Sequence, residues 1–89
     1  MLGFQIEISK SFNKDLKCHW HKPKIMQIVQ DAIEKLKEGR RLPYEHVLKG
    51  DWKGHRECHL PCGLLLIWTV SGSLVKLKRL GTHHQIFGL

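Results

Sequence analysis

The chain has 89 residues, and its 15 Lys+Arg against 8 Asp+Glu give a formal net charge of +7. This length suits one domain over 1–89 with a small core, and the charge excess points to a polyanionic partner such as RNA, DNA or an acidic protein. Three cysteines, an odd number, without a secretory segment argue against a disulfide framework and for the cytoplasm. The longest apolar run, Leu64 to Val70, is far short of a membrane span, so no membrane role is expected.

Leu2, Phe4, Ile6 and Ile8 alternate with Gly3, Gln5, Glu7 and Ser9, which predicts a strand with one buried face. Ser9 or Ser11 can cap a short helix through Cys18 that buries Phe12 and Leu16, and HWHKP then breaks the pattern, leaving His19 and His21 on a solvated turn. Pro23 suits the first turn of a second helix. Its stripe is Ile25, Met26, Val29, Ala32, Ile33 and Leu36, and Gly39 stands where a left-handed cap belongs. Residues 40 to 54 read as a charged loop. Arg56 to Leu60 and Leu64 to Val70 read as strands, the second central and buried with Trp68 in the core, and Ser71-Gly72 turns the chain into SLVKLKRL. The order β-α-α-β-β-β predicts an α+β domain, two N-terminal helices packed on a small antiparallel sheet.

The stretch GDWKGHRECHLPCGLL, residues 50 to 65, is where chemistry concentrates. His55, Cys58, His59 and Cys62 have metal-like spacings. Within a strand, however, Cys58 and Cys62 stand about 13 Å apart, with His59 on the opposite face, so a tetrahedral site needs a break that Pro61 and Gly63 would have to supply. A catalytic thiol at Cys58 or Cys62 lacks any local signature, and a structural role competes with it. Metal-free RNA cleavage needs a base for the 2′-OH, an acid for the leaving 5′-oxygen and cations for the phosphorane. The seven histidines supply candidates for it, with His46, His59 and His83 able to meet at one sheet edge beside Lys53 and Arg56. Trp52 and Phe87 flank these basic elements and can stack on bases, although Phe87 can equally close the core.

The runs HVLKGDWKGHRECHL (46 to 60), LLLIW and LKRLGTHHQIF (77 to 87), together with SFNKDLK (11 to 17), resemble the YafQ-type branch of the RelE/ParE superfamily of bacterial toxins. The resemblance covers nearly the whole chain. It implies a RelE-like fold and a ribosome-dependent mRNA endonuclease that needs no cofactor or metal and is neutralised by a cognate antitoxin. The free toxin is expected to be a monomer and the antitoxin complex a higher oligomer. By the same resemblance His46, His59 and His83 are catalytic, with Glu57 at the family's acidic position and Phe87 at its terminal aromatic. Arg56 is similar to a strand arginine that binds phosphate, while Lys49 and Lys53 are assigned as RNA backbone contacts by charge and Trp52 by its aromatic ring.

One departure stands out: relatives carry a Pro-Asp turn after the strand histidine, where this chain has Cys62-Gly63. Either Glu57 or Asp51 substitutes for that carboxylate, or its role is supportive, or the chain cuts slowly, with another base selectivity, or not at all. His84 reads as an exposed neighbour, because an extended chain after the last strand sends its ring and that of His83 to opposite sides. Three other readings stay open: a ParE-like gyrase inhibitor, a zinc-binding module, and a protein that occupies the ribosome without cutting.

Overall fold

Each of the two long helices is apolar along one stripe only, so each must bury that stripe against a flat partner, and a sheet supplies it. In the computed structural model, which describes residues 3–88, the elements are β1 (Gln5–Ile8), α1 (Lys10–His19), α2 (Pro23–Lys37), β2 (His46–Val47), β3 (Arg56–Leu60), β4 (Leu64–Ser71), β5 (Leu74–Gly81) and α3 (His83–Phe87). Strand order across the sheet is β1-β5-β4-β3-β2. The helices α1 and α2 cover one face: Phe12, Val29, Ala32 and Leu36 pack against Cys58, Leu66, Trp68, Val75, Leu77 and Leu80.

The fold is α+β and mostly antiparallel, with three departures from the expected plan. First, β1 runs parallel to β5, from Gln5↔Leu74 to Ile8↔Leu77. A parallel neighbour requires a crossover, and everything between the two strands serves as one. Second, His46–Val47 pairs with β3 although it lies in the stretch read as loop. Third, the chain ends in α3 rather than in an extended tail. The alternation in the first strand is also only partly used. Phe4 and Ile6 pack on the core, Ile8 is 46% exposed, and Leu2 lies outside the described residues.

Local chemistry explains the element ends. Ser9 caps α1 by accepting from Phe12 N at 3.0 Å, and its hydroxyl donates to the Lys78 carbonyl at 3.0 Å, tying the helix start to β5. The helix runs one residue past Cys18, which buries His19 to 8% exposure and corrects its placement on a solvated turn, while His21 stays exposed. Pro23 begins α2, and Gly39 beyond its end takes φ +73°. A Cβ there would meet the Phe4 ring at 3.0 Å, so the glycine also lets Phe4 close the core edge.

The β4–β5 ladder slips at Ile67/Trp68: Arg79 faces Ile67 whereas Leu77 faces Trp68, leaving Lys78 as the extra residue of a bulge. Asp15 of α1 fastens this irregularity, accepting from Arg79 Nε at 2.8 Å and from Leu80 N at 2.9 Å. No helix among the described residues is long and apolar enough to cross a membrane. Phe12, with no exposure, joins α1 to the core, so Phe12→Ala is expected to cost about 3–5 kcal/mol in urea unfolding. A loss under 1 kcal/mol would contradict this packing.

Candidate active site

Successive side chains in a strand point to opposite faces, and β3 uses both. Cys58 enters the core beneath the helices, so Glu57 and His59 lie on the helix-free face. The β2–β3 register sets His46 opposite Glu57, which puts their side chains on the same side of the sheet. Glu57 is only 5% exposed, and its Oε1 lies 3.2 Å from His46 Nε2 and 3.4 Å from His59 Nε2. The two rings stand 6.2 Å apart, both open to solvent. A buried carboxylate therefore holds two exposed imidazoles side by side.

The two rings are held differently. His46 Nδ1 sits 3.2 Å from the Tyr44 carbonyl, so its two nitrogens lie between that carbonyl and the Glu57 carboxylate. Tyr44 adopts φ +58°, a left-handed conformation uncommon for a bulky residue, and in it presents that carbonyl. His59 Nε2 lies 3.4 Å from Glu57 Oε1, and among the described residues nothing contacts its Nδ1. Because β2 covers only Arg56 and Glu57, the β3 edge beyond them is open, and a groove of about 510 Å³ bordered by Tyr44, Leu60, Pro61 and α2 reaches His59.

A second cluster forms at the start of α3. Thr82 and Gln85 cap the helix reciprocally, at 2.8 Å and 3.1 Å, and Gly81 permits the close approach, since a Cβ there would fall 2.8 Å from Gln85 Oε1. His83 stacks on Phe87 one turn later at 4.9 Å. Phe87 meets Trp52 edge-on at 5.8 Å, and Trp52 meets His55 at 5.2 Å. Trp52 closes a 3-10 turn, Gly50–Trp52, flanked by the exposed Lys49 and Lys53. Leu65 of β4 pairs with both His59 and Gly81, so the two clusters share one end of the sheet, about 10 Å apart across two strand spacings.

The structure thus brings His46, Glu57 and His59 together, and separately His83, Phe87 and Trp52, with Lys49 and Lys53 beside the second group. It does not bring Arg56 to them. Arg56 lies on the opposite face of β3 from Glu57, where its Nη1 is 2.9 Å from Glu45 Oε2 and Trp68 pairs across from it. Glu57 is the carboxylate in contact with the histidines, while Asp51 is exposed in the 3-10 turn. His84 opens a helix with His83 instead of an extended tail, so the strand argument about their rings does not apply. Tyr44 and Glu45, absent from the expected set, carry the His46 and Arg56 contacts, and no local sequence signal marks a backbone carbonyl or an ion pair across a loop.

The cysteines fall apart as a group. Cys58 is fully buried and Cys62 sits exposed at φ +66° in the β3–β4 turn, with Cys58 and His59 on opposite faces, so the proposed four-residue zinc set does not converge. Among the described residues no three His, Cys, Asp or Glu side chains are placed to hold a metal ion. Burial, followed by the charges of Glu45 and Glu57, pushes the Cys58 thiol up from 9.0 to about 12, the opposite of an activated nucleophile.

This helix-backed sheet is shared with solved bacterial toxins, and the chain falls among the toxins of type II toxin–antitoxin systems. It matches the YafQ toxin family model over residues 4–88, and the chain belongs to that family. The mRNA interferase toxin YafQ of Escherichia coli K12 is 31% identical over 93 residues, covering 99% of this chain and all of the relative. YafQ in the E. coli DinJ–YafQ toxin–antitoxin complex superposes with a TM-score of 0.83 at 32% identity, covering 98% of this chain and 100% of that one. A metal-bound toxin from Helicobacter pylori does so at 0.81 and 36%, with the same coverage.

Two measurements check this geometry. In native protein, Cys18 and Cys62 are expected to react with a thiol reagent at pH 8 while Cys58 reacts only after unfolding; three fast thiols would contradict its burial. The raised thiol also implies stability that is intact below pH 9 and declines from there toward 12, since the unfolded chain releases the proton first. Separately, Arg56→Gln leaves the nearly buried Glu45 short of its closest cation, and is expected to cost about 1–3 kcal/mol of stability. A cleavage defect without a stability loss would return Arg56 to the site.

Proposed function

We propose that this protein, one domain over 1–89, is a ribosome-dependent mRNA endoribonuclease of the cytoplasm, neutralised by a cognate antitoxin. The observation that carries the reading is the buried Glu57 holding His46 and His59 on an open face, at the same sheet end as His83, Phe87 and Trp52. The relative named an mRNA interferase and the toxin solved with DinJ support it.

In this mechanism the 2′-OH attacks its own 3′-phosphate. The base takes the 2′ proton, the P–O5′ bond breaks, and the acid protonates the leaving 5′-oxygen, giving a 2′,3′-cyclic phosphate and a 5′-OH. His59 is the base, because its Nδ1 is uncommitted and faces no competing acceptor. His46, held between the Tyr44 carbonyl and Glu57, stabilises the phosphorane charge from the face that Arg56 does not share. His83 is the acid. Phe87 and Trp52 orient the base of the substrate, Lys49 and Lys53 hold its backbone, and the groove beside His59 leaves room for the adjoining nucleotide. Glu57 positions both rings and takes the place of the family's turn aspartate. No step requires a metal. The partner antitoxin is acidic and folds onto the basic toxin, which is monomeric when free.

The test is primer extension of a defined mRNA in a reconstituted translation reaction, with wild type and His83→Ala, each with and without 1,10-phenanthroline, which removes transition metals but leaves the Mg²⁺ that ribosomes need. Position-specific cuts that need ribosomes, survive the chelator and fall about 10²–10⁴-fold in the variant are expected. Loss of cutting with the chelator would remove the metal-free step. Toxicity that survives His83→Ala would favour a gyrase-type target.

A further inference from the structure

The catalytic face uses only part of the positive charge. Elsewhere Lys37, Arg40, Arg41, Arg56, Lys76 and Arg79 each have a carboxylate within 4.0 Å. Lys10, Lys14 and Lys17 have none among the described residues, and they recur at i, i+4 and i+7, so all three stand on one exposed stripe of α1. That stripe is opposite the one on which Phe12, Asp15 and His19 turn inward. Like charges at this spacing repel and destabilise the helix, and no acidic residue occupies the first turn of α1 or α2 to offset them. At the end of the stripe Trp20 is 72% exposed, flanked by Lys22 and Lys24. A large aromatic left in water among unpaired lysines has the composition of a single-stranded nucleic-acid surface, in which cations track phosphates and a ring stacks on a base.

The stripe also leads to the active site. Ser9 touches β5 at Lys78 and Asp15 touches it at Arg79 and Leu80, so α1 climbs toward Gly81, the end at which α3 and His83 begin. Trp20 lies about 7.5 Å further along the same axis. We propose that Lys10, Lys14, Lys17 and Trp20 form a second RNA-binding surface on the helix layer, which holds the phosphate backbone of an RNA segment and stacks one of its bases as RNA passes the catalytic end. This rests on the endoribonuclease reading for the identity of the polyanion. The segment is either the flank of the substrate strand or ribosomal RNA, which present the same phosphates.

The test measures binding rather than cutting. Fluorescence anisotropy with a labelled unstructured RNA oligonucleotide, pelleting with mRNA-free ribosomes and, as a control arm, anisotropy with labelled polyglutamate would be run on wild type, the triple variant Lys10→Gln/Lys14→Gln/Lys17→Gln, its Lys→Arg counterpart and Trp20→Ala. The Gln triple variant is expected to lower the slope of log affinity against log salt by about 2, the Arg counterpart to retain it, and Trp20→Ala to weaken binding about tenfold. A loss with the oligonucleotide assigns the substrate flank; a loss with ribosomes alone assigns ribosomal RNA. Unchanged slope and affinity in both arms would overturn the proposal, as would a loss confined to polyglutamate, which would mark a surface for an acidic protein. Thermal midpoints matching wild type exclude misfolding of these exposed substitutions. If the wild type binds through the stripe but never cuts, this surface stands and the cleavage reading falls.

Discussion

A carboxylate taken almost wholly out of water is costly unless charged or polar partners surround it, and Glu57 finds both of its partners in imidazole rings. Much of the site's geometry follows from that requirement. His46 must be delivered opposite Glu57, so two residues of an otherwise irregular loop become β2. His59 is in position because it is two residues along the same strand. The left-handed Tyr44 then orients the first ring from behind. Neighbouring Cys58 points the other way and fixes the strand in the core, so the reactive face inherits the rigidity of the packed one.

The sheet separates stability from chemistry by side. On the helix face sit Phe12, Trp68 and the aliphatic core, with Arg56 and Glu45 closing its edge. On the other face Leu65 and Ile67 are buried with no long helix over them, and the Trp52 turn and α3 stand at that side as a short aromatic wall. The bulge at Lys78, held by Asp15, shapes the β5 end from which α3 departs, so a contact beneath the helix layer sets where His83 begins. The basic stripe of α1 is anchored by the same two contacts to β5.

Much of this was legible in the sequence. Helical stripes and strand alternation located both long helices and the three strands of the meander, because those elements obey local periodicity. The histidines and Phe87 were legible through resemblance, since no spacing rule connects residues 46, 59 and 83. What escaped depended on partners remote in sequence. The parallel pairing of β1 with β5 joins residues about 70 apart, and β2 has too few residues to show a period. The Arg56–Glu45 ion pair was hidden in the same way, since its two partners lie 11 residues apart on either side of a loop. His19 was misplaced because the helix kept one more residue than HWHKP suggested.

The central claim is that Glu57 fixes both rings through Nε2 and leaves Nδ1 of His59 free. Long-range ¹H–¹⁵N correlation spectra of the histidine rings, in wild type and Glu57→Gln, test it most directly. The account predicts Nε2–H with a bare Nδ1 on the His59 ring of the wild type, Nδ1–H on His46, and loss of the fixed His59 tautomer in the variant. A His59 ring that carries its proton on Nδ1, or tautomers indifferent to the Glu57 substitution, would contradict it.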